Sequence, residues 1–115
     1  MENLKDIPGL TMPAVADGNK HVFHLFPVMI EPYEFGMNKD DFIDSMHHRF
    51  NIKVGFHYIP LHWTTAFKKR GFKKGQYPNA DKVGEQLVTL PINPRQSRES
   101  LDYLIESIRK ISGRN

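Results

Sequence analysis

Cysteine is absent from all 115 residues, so this chain can build neither a disulfide framework nor a thiolate metal site. No stretch approaches the ~20 consecutive apolar residues that cross a bilayer. The first residues, Met1 to Asp6, carry Glu2, Lys5 and Asp6 where a secretory signal would have its apolar core. These absences lead to the expectation of a soluble, cytoplasmic chain with no membrane partner. No internal repeat or low-complexity segment interrupts it.

What is present fits a single domain over residues 1–115 with a modest core, since 39% of residues are hydrophobic and an ordinary 25% are charged. The net charge is +3, and five positive charges crowd into seven residues at Lys68, Lys69, Arg70, Lys73 and Lys74. Phe67, Phe72 and Tyr77 lie among or beside them. Interleaved cations and aromatics suit single-stranded nucleic acid. Thirteen acidic residues and a small net charge argue against a strong polyanion binder. The simpler reading is a solvated, lysine-rich turn. A stand-alone binding module acting through this turn, for nucleic acid, is the alternative function.

Punctuation by Pro8, Gly9, Pro13 and Gly18 marks an irregular lead-in. His21 to Ile30 is nearly continuous apolar sequence and predicts a strand, with an edge or bulge at Pro27 because proline cannot donate to a ladder. Asn38 is a helix cap, supported by Asp40 and Asp41 at the positive end, and Phe42, Ile43, Met46 and Phe50 share one face of the helix it starts. A second strand is expected over Ile52 to Tyr58. A short helix is expected from Thr64 or Thr65, and another from Asn79 whose apolar face comprises Ala80, Val83, Leu87 and Val88. Leu90 to Pro94 is held extended by its prolines. Ser97 caps a last helix with the clearest stripe in the chain, Leu101, Leu104, Ile105 and Ile108, and Gly113 ends it. Two to three strands with three or more helices make an α+β, two-layer domain with a short antiparallel sheet.

Between the second expected strand and the basic turn lies the segment V-G-F-H-Y-I-P-L-H-W, Val54 to Trp63. Pro60 fixes its own φ and pushes Ile59 to an extended conformation, so a strand gives way to a stiff loop. Such junctions carry binding groups. His57, Tyr58, His62 and Trp63 put two imidazoles, a phenol and an indole around this bend. The plainer reading is an aromatic structural corner, and the spacing does not decide which of His57, Tyr58 and His62 faces a cleft.

Six histidines invite a metal. His47 and His48 diverge by ~100° on a helix, and His21 and His24 fall on opposite faces of a strand. His57 and His62 converge at best as a pair, without the third ligand that a zinc site needs. No metal is expected.

Several segments, taken in order and spacing, resemble the C-terminal small domain of DegT/DnrJ/StrS-type sugar aminotransferases. They are H-L-F-P-V at His24 to Val28, D-F-I-D-S-M at Asp41 to Met46 and G-F-H-Y-I-P-L-H at Gly55 to His62. Further on come Y-P-N-A at Tyr77 to Ala80, L-P-I-N-P at Leu90 to Pro94 and L-D-Y-L-I-E-S-I at Leu101 to Ile108. H-Y-x-P-L-H is the specific part and L-P-x-x-P supports it. Members of that family use pyridoxal phosphate to place an amino group on a keto-sugar carried on a nucleotide. The resemblance implies a fragment or subunit that is not catalytic alone. No catalytic residue and no cofactor-binding residue is assigned to it. The family's cofactor lysine, pyridinium partner and phosphate loop lie in a large domain, and no lysine here sits in the corresponding serine-rich, glycine-flanked context. The expected partners are that large domain, on the same chain or as a split subunit, and a nucleotide-sugar. Self-association is expected through the apolar face the large domain would cover. His57, Tyr58, His62 and Trp63 are the expected substrate-binding residues, with an imidazole bonding a sugar hydroxyl or phosphate and the aromatic rings forming an apolar wall.

Overall fold

The computed structural model describes residues 2–113. Three antiparallel strands, β1 (Leu10–Thr11), β2 (Phe26–Ile30) and β3 (Leu87–Leu90), form one sheet in that order. The α-helices among the described residues are α1 (Pro32–Phe35), α2 (Lys39–Phe50), α3 (Thr65–Lys68), α4 (Pro78–Gln86) and α5 (Arg98–Ile111). The expected α+β class therefore holds. Val28 and Ile30 of β2 and Val88 and Leu90 of β3 alternate along their strands, so they share one face of the sheet. On that face α2 contributes Phe42 and Met46, and α5 contributes Leu104 and Ile108. Full burial of each such side chain stabilises the fold by about 1.5–3 kcal/mol before entropic costs.

The two long helices begin where their caps place them. Asn38 Oδ1 accepts from the backbone N–H of Asp40 and Asp41 at 2.9 and 3.0 Å. Ser97 Oγ accepts from Ser100 N–H at 3.1 Å. Asn51, in a left-handed conformation at φ 54°, stops α2. Arg109 of α5 clamps the N-terminal segment through Asp6 Oδ1 at 2.7 Å and Asn3 O at 2.9 Å.

Several elements differ from expectation. The strand expected over residues 21–30 is only Phe26–Ile30, because His21 Nδ1 accepts from Phe23 N–H and the chain turns at Phe23, φ 47°. Pro27 lies inside β2, opposite Thr89. The N–H and C=O of Thr89 both bond Gly55 on its other side, so the Pro27–Thr89 pair exchanges no hydrogen bonds and a donor at Pro27 is not required there. The second strand expected over Ile52 to Tyr58 reduces to a single bridge, Gly55 to Thr89, after which the chain leaves the sheet. The lead-in contributes the two-residue β1. Asn79, expected to cap this helix, lies inside it instead: α4 starts at Pro78, with Tyr77 at the N-cap and proline in the first turn. Leu87 and Val88, expected on its face, instead pair with β2 as the start of β3. Pairing and burial in a sheet override a four-residue extension of helical spacing.

Candidate functional site

Residues 57–62 form an arch seated on the continuous α4–β3 segment. At one foot, His57 Nδ1 lies 3.0 Å from Thr89 Oγ1 on the sheet face opposite the helix-covered core. At the other foot, the 3-10 turn Leu61–Trp63 carries His62 inward, and its Nε2–H donates to Asp81 Oδ1 of α4 at 2.7 Å. Between the feet the arch rests on Gly84. A Cβ at that position would lie 2.5 Å from Pro60 Cγ and 2.8 Å from Trp63 Cη2, so only glycine admits this approach. The crown points outward: Tyr58 is 77% exposed and Leu61 67%.

Asp81 gathers the second foot. Its Oδ1 also accepts from Trp63 Nε1–H, and its Oδ2 accepts from Gly75 N–H at 2.9 Å. His62 and Asp81 are only 5% and 8% exposed. Burial pushes the Asp81 carboxyl up, but the donors His62, Trp63 and Gly75 outweigh it and hold the group below the usual carboxylate range. An ionised Asp81 only accepts, so the His62 Nε2 facing it carries a proton.

The structure therefore separates the four residues singled out in the sequence. His57 lines a cavity of about 340 Å³ together with His24, Lys53 and Thr89, and its Nε2 has no hydrogen-bond partner among the described residues. Tyr58 is exposed on the crown, its ring 5.0 Å from that of His57. His62 turns away from solvent into the Asp81 knot. Trp63 is half-buried and lines a second cavity with Lys39, Phe56 and Lys68. His24, Lys53, Thr89 and Asp81 carry no spacing signal in the sequence. His24, Lys53 and Thr89 meet beside His57 because β3, the 53–57 segment and the residues before β2 converge there, whereas Asp81 reaches His62 from α4.

The basic turn sits beside this second cavity. Gly71 and Gly75, at φ 90° and 95°, shape it. Lys74 pairs with Glu85 at 2.6 Å and lies 4.5 Å over the Trp63 ring, while Arg70 lies over Phe67. Lys39, with its side chain only 13% exposed, donates to Gly84 O at 2.9 Å and covers the Phe56 ring.

These residues do not form a site for pyridoxal phosphate. The cofactor requires a free lysine and a carboxylate facing its ring nitrogen. The amines of Lys39 and Lys74 are committed to Gly84 and Glu85. Lys53 reaches the His57 cavity, but no carboxylate lines that cavity. Asp81 is taken by its three donors. No group of three or more His, Asp or Glu among the described residues is arranged to hold a metal ion, and no helix among them is long and apolar enough to cross a membrane.

The three-stranded antiparallel sheet with two capped helices on one face matches an α+β fold of the aminotransferase small-domain type. The family described as the DegT/DnrJ/EryC1/StrS aminotransferases matches residues 1–109, and the chain belongs to that family. It is 31% identical over 108 residues to the spore coat polysaccharide biosynthesis protein SpsC of Bacillus subtilis, covering 93% of this chain and 28% of that protein. It is 29% identical over 112 residues to the dTDP-3-amino-3,4,6-trideoxy-alpha-D-glucose transaminase of Micromonospora megalomicea, covering 96% of this chain and 28% of the enzyme. Its fold superimposes on S. venezuelae DesV, solved in complex with a ketimine intermediate, with a TM-score of 0.84 at 27% identity, over 99% of this chain and 29% of DesV. The chain thus spans less than a third of the length of these relatives.

Proposed function

We propose that this chain acts as the small domain of a pyridoxal-phosphate-dependent aminotransferase that installs an amino group on a nucleotide-linked keto-sugar, working in the cytoplasm. The observation that carries the reading is the arch. The segment that resembles the sugar aminotransferases most specifically is also the one tied down at both feet, through His57 and His62, with Tyr58 and Leu61 turned outward. When bound, the cofactor supplies the carbanion-stabilising chemistry from a large domain that covers this face. The contribution of this chain is positioning. Thr89 fixes the His57 ring through Nδ1, which leaves Nε2 to bond a sugar hydroxyl or a phosphate oxygen. Tyr58 and Trp63 offer aromatic faces to the apolar side of a sugar ring. His62, held by Asp81, contributes to that site by setting where Trp63 and Tyr58 stand. Exposed Tyr58, Ile59 and Leu61 supply the apolar surface that the large domain covers and through which free chains associate.

Replacing the corresponding segment of DesV with this chain tests the reading. Sugar transamination by the chimera, with cofactor retained on dialysis, is the expected result. A folded, cofactor-loaded chimera that turns over no nucleotide-linked keto-sugar contradicts it.

A further inference from the structure

We infer that Asp81 and Gly84 are positioning residues that set the height and orientation of the arch, and through it the placement of His57 and Tyr58. The inference rests on the reading that these two side chains meet substrate. The geometry behind it stands by itself. The arch meets the α4–β3 segment at Asp81, Gly84 and Thr89. Asp81 fixes one foot by hydrogen bonds to the side chains of two consecutive residues, His62 and Trp63, and ties the same point to Gly75 of the basic loop. Gly84 sets the height, because Pro60 and Trp63 pack where a methyl group would stand. Neither Pro60 nor the tryptophan ring can yield as a flexible side chain would. Any side chain at position 84 must therefore lift the arch or bend α4.

The sign of one substitution distinguishes this seat from an ordinary helix glycine. In a helix interior, Gly→Ala ordinarily stabilises. Here Gly84→Ala is expected to lower the melting temperature of the 115-residue chain. In a uniformly ¹⁵N-labelled sample it should also shift the signals of His57, Tyr58 and the Trp63 indole N–H, while those of α5 stay in place. Asp81→Asn keeps the side-chain shape but replaces one acceptor oxygen with an amide NH2, which then faces a donor whichever way the amide is turned, Gly75 N–H on one side or the Trp63 indole N–H on the other. It should speed exchange of the Trp63 and Thr64 amides, which bond Pro60 O and Leu61 O, by about tenfold or more and move the His57 and Tyr58 signals as well.

Ile108→Val, in the core away from the arch, serves as the control for destabilisation alone and should leave those signals unmoved. Should Gly84→Ala not fold, the double variant Pro60→Ala/Gly84→Ala removes the closest obstruction and is expected to fold with a smaller loss. The inference is overturned if Gly84→Ala is neutral or stabilising with arch signals unchanged. It is equally overturned if Asp81→Asn leaves His57 and Tyr58 where they were, or moves them no more than Ile108→Val does. All of these readings are made on the free chain, so they stand or fall independently of turnover in the chimera.

Discussion

The two sides of this sheet are held by different physics. On the α2–α5 side, Phe42, Met46, Leu104 and Ile108 bury apolar surface against β2 and β3, and stability is spread over many contacts. On the arch side, three polar contacts and one glycine hold a loop whose crown remains in water. Dispersed apolar packing tolerates small changes of volume, whereas a polar knot fails when one donor is removed. A domain built this way can keep its fold while the surface that meets a substrate is held by a few specific groups.

The largest effect belongs to the packed side. Phe42 is fully buried between the sheet and Phe35, so Phe42→Ala should cost about 3–5 kcal/mol, measured by urea denaturation. A loss below about 1 kcal/mol would show that this side is not the stabilising one. Next comes His62→Ala, which withdraws a donor from a buried carboxylate and should cost about 1–3 kcal/mol. Because Trp63 is the only tryptophan, its fluorescence should change in this variant and stay near wild type in folded Phe42→Ala. Equal fluorescence changes in both would erase the distinction between the two sides.

Acid should release the arch side selectively. The carboxyl of Asp81 is held below its ordinary value, so its contribution is present above the unfolded value, near pH 4, and is lost as pH falls through the lower folded value. Trp63 fluorescence followed down in pH should therefore show a transition that Asp81→Asn lacks. A transition of unchanged midpoint in that variant would assign it to another carboxyl. The smallest effect is expected at the basic turn. Replacing Lys68, Lys69 and Lys73 with Gln should change stability by less than ~0.5 kcal/mol each, and sugar-nucleotide binding in the chimera should persist. Loss of binding together with a steep salt dependence would make the turn a phosphate site.

The legibility of the sequence divides along the same line. The caps at Asn38 and Ser97 and the stripe Leu101, Leu104 and Ile108 were readable, because local hydrogen bonding and helical spacing determine them. The α+β class followed from the same signals. Leu87 fits helical spacing in the sequence, but its strand character comes from pairing with β2, a partner far away in sequence. The H-Y-I-P-L-H segment was readable as a stiff bend. Its division into an outward His57 and an inward His62 was not, because Thr89 and Asp81 lie 32 and 19 residues away from them. The role of Gly84 has no local signal either, because Pro60 and Trp63, which lie against it, are brought there by the tertiary fold.

The central claim is that the arch brings His57 to the substrate of a sugar aminotransferase. It is tested most directly by His57→Ala in the chimera with DesV, reading kcat/KM for a nucleotide-linked keto-sugar alongside thermal melting. The account predicts a fall of about tenfold or more, the loss of one hydrogen bond to a charged or transition-state group, with only the small drop in melting temperature that loss of the His57–Thr89 bond entails. Full turnover, or a loss that only tracks unfolding, would contradict it and leave the bend a structural corner.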